Sequence, residues 1–188
     1  MYIELMVTFL LSFMYLFLLR KTAKHYGLVD RPNERKLHQG TVPLVGGIAI
    51  YLTLITTLVL FFKLTPDVVL YTVSTTCLLI IGVVDDKHDI SFKVRLFVQA
   101  LIAGFLIYFG ERSLHNLGEL FGDNTIIMPE VLSYIVTIFA VIGAINAFNM
   151  VDGIDGLLGA LASVTFGSLG LLFYQHGDYH NAGLCALL

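Results

Sequence analysis

Three clusters of polar and charged residues interrupt an otherwise apolar chain, and their residue types suit phosphate and divalent-metal chemistry. The first, GLVDRPNERKLHQGTVPLVGG, runs from Gly27 to Gly47. Arg35 and Lys36 can hold phosphate oxygens, the one as a planar fork and the other as a point charge. His38 can donate a hydrogen bond or carry a proton. Gly46 and Gly47 let a headgroup or a second helix approach closely. A basic loop that merely sets topology would explain the charge, but not the density of Gly and Pro around it. The second cluster is VVDDKHD, ending in Asp85, Asp86, Lys87, His88 and Asp89. If a helix continues through it, Asp85, Asp86 and Asp89 share an arc of about 100°. Carboxylates at a helix C-terminus oppose its dipole. They make sense as a divalent-cation site or as a general base, and otherwise read as a solvated acidic turn. The third cluster, NAFNMVDGIDGL, places Asn146, Asn149, Asp152 and Asp155 at a spacing of three. Gly153 and Gly156 predict a break in the helix, so that these groups converge rather than spread around it. Their hard oxygens suit magnesium. The plainer alternative is a polar turn.

The elements that must position these groups are membrane helices. Of the 188 residues, 57% are hydrophobic and 13% charged, against roughly 45–50% apolar and ~25% charged in soluble domains. The mean hydropathy is +0.84. This excludes a soluble single-core domain, a disordered tail and a disulfide scaffold. Cys77 and Cys185 lie in apolar runs with no CxxC and read as small hydrophobes. The expected fold is an all-α polytopic transmembrane bundle of six spans: Ile3–Leu19, Val42–Phe62, Val68–Val84, Leu96–Phe109, Val131–Asn146 and Leu157–Tyr174. A seventh span is expected to begin near Ala182. The chain is still apolar at Leu188, where a membrane helix cannot stop with its backbone unpaired. Residues 1–188 are therefore expected to form a single integral-membrane domain truncated at its carboxyl end. The first span has no basic region before it and no small-residue cleavage site after it, so it reads as a retained span.

Charge orients the bundle. Arg20, Lys21, Lys24, Arg31, Arg35, Lys36, Lys87, Lys93 and Arg95 fall on one side; only Lys63 and Arg112 fall on the other. The basic side is expected to be cytoplasmic and the amino terminus outside. Thr65-Pro66-Asp67 and Pro129-Glu130 read as helix starts. All three polar clusters then lie at the cytoplasmic face. Spans two and three carry no charged residue in their interiors, and span four carries only Gln99. Neither a Walker loop nor GxGxxG, HExxH or GxSxG occurs. No nucleic-acid partner is expected.

In this order and on one side, PNERKLHQGTVPLVGG, VVDDKHD and NAFNMVDGIDGL resemble the polyprenyl-phosphate N-acetylhexosamine-1-phosphate transferases. The likeness extends over essentially the whole chain. It is strongest to members that use UDP-N-acetylglucosamine and undecaprenyl phosphate at the first membrane step of O-antigen and enterobacterial common antigen synthesis. The sister enzymes acting on UDP-N-acetylmuramoyl-pentapeptide usually carry a lysine where this chain has Asp89. The resemblance implies transfer of N-acetylglucosamine-1-phosphate to the lipid phosphate with release of UMP. It implies Asp85 or Asp86 as general base or metal partner. It implies Asn149, Asp152 and Asp155 for nucleotide-sugar and metal placement, with Asp86, Asp152 and Asp155 as the metal set. Arg35, Lys36 and His38 would face phosphates. The cofactor implied is magnesium, with manganese as its substitute. The place implied is the bacterial inner membrane, with the site at its cytoplasmic face and a homodimer as an assembly to test. Family members carry a GDAGS-like segment and a histidine-rich loop further on, and neither occurs before Leu188. This stretch alone is therefore expected to be inactive. Three rivals remain: another UDP-N-acetylhexosamine as donor, a divalent-cation transporter using Asn146, Asn149, Asp152 and Asp155, and a membrane scaffold without activity.

Overall fold

In lipid a backbone must pair its own N–H and C=O groups, so long apolar runs become helices. A computed structural model describes residues 2–30, 42–119, 125–151 and 156–188. Among the described residues these are α1 (Tyr2–Tyr26), α2 (Gly46–Phe61), α3 (Pro66–His88), α4 (Phe92–Gly110), α5 (Glu130–Val151), α6 (Leu157–Gln175) and α7 (Tyr179–Leu187). One short antiparallel ribbon joins β1 (Val29–Asp30) to β2 (Val42–Pro43). The expected all-α class holds. Five helices, α1 and α3 to α6, are long and apolar enough to cross a membrane.

The second expected span is shorter than its apolar run. It was expected over Val42–Phe62, but the helix begins at Gly46 and has 16 residues, a rise of about 24 Å. Pro43 has no N–H to give and biases Val42 toward extended backbone. The two residues pair with Val29–Asp30 instead of extending the helix. The last apolar stretch also differs, because its helix starts at Tyr179 rather than near Ala182. Asp178 explains the earlier start: its carboxylate accepts from the Asn181 backbone N–H at 3.1 Å and side-chain amide at 2.6 Å. Those two bonds hold the carboxyl below the usual carboxylate range.

The chain forms two compact units, residues 1–64 with 82–89 and 156–188, and residues 65–81 with 90–155. In the first, α1 packs on α2 and α6 packs on α7. A row of hydroxyls ties α1 to α2. Thr8 gives its one proton to the Glu4 carbonyl, 2.8 Å away, so Thr57 must donate to Thr8 across 3.2 Å. Thr56 likewise donates to the Leu52 carbonyl, so Tyr15 donates to Thr56 across 2.9 Å. Thr57 is 1% exposed, whereas Phe9 and Phe13 are 71% and 66% exposed. Small polar residues inside and aromatics outside is the pattern of helices that pack in lipid.

In the second unit α4 packs against α5. Thr65 opens α3, its hydroxyl taking the Val68 N–H at 3.3 Å and its carbonyl the Val69 N–H at 3.0 Å. The expected start at Thr65-Pro66 is thus present. Pro129 stands one place before α5, and its carbonyl takes the Ser133 N–H at 2.9 Å. The segment between α4 and α5 is pinned where the Leu114 N–H donates to Thr137 Oγ1 at 2.8 Å.

Candidate functional site

The described members of the expected site, Asp85, Asp86 and Asn149, fall near helix ends, so the way each helix stops matters. α1 stops at Gly27, whose φ of +72° suits a residue without Cβ. The Leu28 N–H reaches back to the Ala23 carbonyl at 3.0 Å and closes the last turn. The chain then runs into the ribbon, where Val29 pairs with Pro43 and Asp30 with Val42. The Leu44 N–H donates to the Leu28 carbonyl at 2.9 Å and extends the pairing by one step. Arg35, Lys36 and His38 lie outside the described residues. The residues bounding their segment, Asp30 and Val42, are partners in the ribbon. On α1 itself, the Lys21 ammonium sits 4.3 Å from the centre of the Phe17 ring.

α3 carries the paired carboxylates on its last turn. Asp85 is half-buried there and Asp86 exposed. Lys87 and His88 follow on the same turn, the charge that a helix C-terminus favours. Asp89 does not continue the helix. Its φ is +48°, and its N–H donates to the Asp85 carbonyl at 2.8 Å. The expected arc of Asp85, Asp86 and Asp89 on one continuing helix is therefore corrected: two of them are helical and the third turns the chain. Aspartate tolerates the left-handed conformation better than most residues, and it ends the helix here. Ser91 then starts α4, its carbonyl accepting from Val94 at 3.0 Å.

α5 ends at Val151 and α6 begins at Leu157 behind Gly156, whose φ is +77°. The expected break in the Asn-Asp cluster is thus present. Asn149 is exposed on the last turn of α5. Asp152 and Asp155 lie outside the described residues. Asn146, one turn before Asn149, is half-buried, and its Nδ2 donates to Gln99 Oε1 on α4 at 2.7 Å. The bond between them follows no rule of local spacing, since the two residues stand 47 apart. Each was visible in the sequence as a polar group in or beside an apolar run; that they find each other was not.

Of the expected metal set only Asp86 is described, and among the described residues no three Asp, Glu, His or Cys side chains gather to hold an ion. The described candidates, Asp85, Asp86 and Asn149, offer oxygen ligands of the kind that suits hard cations, on the last turns of α3 and α5.

The model of glycosyl transferase family 4 matches residues 68–188. The chain belongs to this family. That match takes in the carboxylate turn of α3 and the Asn-Asp break between α5 and α6. Curated relatives extend the likeness to nearly the whole chain. An undecaprenyl-phosphate alpha-N-acetylglucosaminyl 1-phosphate transferase of Yersinia pestis is 45% identical over 97% of this chain and 50% of its own length. The protein of the same name from Escherichia coli K12 is 43% identical over 97% of this chain and 49% of its own. That from Haemophilus influenzae is 41% identical over 94% and 49%. The chain spans about half the length of the curated relatives it matches. No solved structure matches it.

Proposed function

We propose that the protein acts in the complete chain as a magnesium-dependent transferase of N-acetylglucosamine-1-phosphate from UDP-N-acetylglucosamine to undecaprenyl phosphate. One observation carries the reading: identity of 41–45% to transferases so named, across nearly all of this chain. An oxygen of the lipid phosphate attacks the β-phosphorus of the nucleotide sugar. The bond from that phosphorus to the bridging oxygen breaks, UMP leaves with the bridging oxygen, and a lipid-linked pyrophosphate sugar remains. Such a transfer asks for positioned anions and charge neutralisation more than for covalent catalysis.

Asp85 and Asp86 are the residues we assign to the reacting phosphates, one taking the proton of the acceptor phosphate and the other facing the metal. Asp86, Asp152 and Asp155 would hold magnesium, or manganese in its place. The donor set fits that ion, being all carboxylate oxygen. The ion when bound supplies neutralisation of phosphate charge. Asn149 with Asp152 and Asp155 would place the nucleotide sugar, and Arg35, Lys36 and His38 would meet phosphate oxygens. The soluble donor and the basic loops support a site at the cytoplasmic face of the bacterial inner membrane, at the first membrane step of O-antigen or enterobacterial common antigen synthesis.

The test is transfer itself. The complete chain, purified in undecaprenyl-phosphate nanodiscs, should release UMP from UDP-N-acetylglucosamine in step with formation of the lipid product. No UMP release with both substrates and magnesium present would sink the reading. Release with UDP-N-acetylgalactosamine but not with the gluco epimer would keep the chemistry and change the donor.

A further inference from the structure

Gln99 is the eighth residue of α4 and is 6% exposed. Its Oε1 accepts a hydrogen bond of 2.7 Å from Asn146 Nδ2, and the same Nδ2 donates to the Ile142 carbonyl at 2.8 Å. The two hydrogens of that amide point one way into α5 and the other way across to α4. Asn146 is thereby held from both sides and has no N–H left for a substrate. It is also the first member of the series Asn146, Asn149, Asp152 and Asp155, and lies five residues before the end of α5.

We propose that Gln99 is a positioning residue for Asn149. Through Asn146 it sets the rotation of the last described turns of α5, and so where Asn149 stands. The inference rests on the transferase reading above. The other buried residues of α4 are Ile102 and Ala103, whose apolar contacts are tolerant of a small rotation. A hydrogen bond between two side chains is not, because it weakens steeply with angle. A helix rotation of about 20° would carry a side-chain tip about 6 Å off the axis through about 2 Å. A misplacement of about 1 Å can cost about 10²-fold in rate. Asn149, one turn beyond the tie, is exposed and meets that displacement in full.

A merely structural tie predicts something different, and α5 offers the comparison. Near its other end Thr137 Oγ1 holds the Leu114 N–H at 2.8 Å, also joining α5 to a distant segment of the same unit. The complete chain in nanodiscs is assayed for UMP release and for thermal unfolding. Gln99→Leu, and Gln99→Met as a second variant of similar length, should lower kcat about 10- to 100-fold. KM for UDP-N-acetylglucosamine should stay within about threefold and Tm close to wild type. Thr137→Val should do the reverse, lowering Tm and leaving kcat. The double variant Gln99→Leu with Asn146→Ala should be no slower than the slower single variant, since both remove one tie. Wild-type kcat in both Gln99 variants overturns the proposal. So does a multiplicative double variant, a loss that only tracks Tm, or a failure of both Gln99 variants to fold. A wild-type chain that releases no UMP removes the transferase reading itself, whereas turnover insensitive to Gln99 removes only this inference.

Discussion

Asp85 and Asp86 stand where a helix would rather have cations, on the last turn of α3 beside Lys87 and His88. If they serve the reacting phosphates, Asp85→Asn and Asp86→Asn should each lower kcat at least about 10²-fold, the scale of a lost general base. Protein levels in the membrane should not change. Near wild-type turnover in both variants would return the pair to a solvated acidic turn. The types and order of these residues were legible in VVDDKHD, but the end of the helix was not. Asp89 could continue a helix or end one, and the difference is its φ of +48°. Residue type allows both, and the backbone takes the second.

Helix boundaries were legible where the chain carries its own punctuation. Thr65-Pro66 starts α3 for a reason confined to a few residues, whereas α1 runs past the expected end at Leu19 as far as Tyr26 before Gly27. The Val42–Pro43 stretch was not read so, because it continues the apolar run of α2; Pro43 disfavours helix there, and the partner that takes up the extended backbone, Val29–Asp30, is distant. The tie between α1 and α2 belongs to the same class. Thr8, Thr56 and Thr57 look like ordinary span residues until Thr57 is seen to donate to Thr8 and Tyr15 to Thr56. A double-mutant cycle on Thr8→Val and Thr57→Val should give a coupling of about 0.6 kcal/mol, and at most about 1.7, as for other hydrogen bonds between membrane helices. It is read from reversible unfolding in mixed micelles. A coupling indistinguishable from zero would mean that apolar packing alone joins these helices.

For the whole molecule, the split of nine basic residues against two predicts an orientation. Cysteines placed singly at Lys36 and Lys87, in a chain lacking Cys77 and Cys185, should resist an impermeant thiol reagent in intact cells. A cysteine at Arg112 should react. Labelling at position 36 or 87 from outside would invert the topology and put the candidate site on the wrong face for a soluble nucleotide sugar.

Composition and run length by themselves determined a helical membrane protein, because no other local structure satisfies a backbone in lipid at this hydropathy. Residue type by itself determined the candidate chemistry, since Arg, Lys, His, Asp and Asn bring their charge and hydrogen bonds wherever they are placed. The start of a new helix at Leu157 was also written locally, in Gly156, whose φ is +77°. Only the tertiary structure decided which lone amide meets which. Gln99 and Asn146 lie 47 residues apart on helices whose packing is set by all their side chains together. It also decided that the stems of the Arg35–His38 segment are held side by side. Pairing Asp30 with Val42 needs two distant stretches to arrive at the same place, and no period in the sequence encodes that arrival.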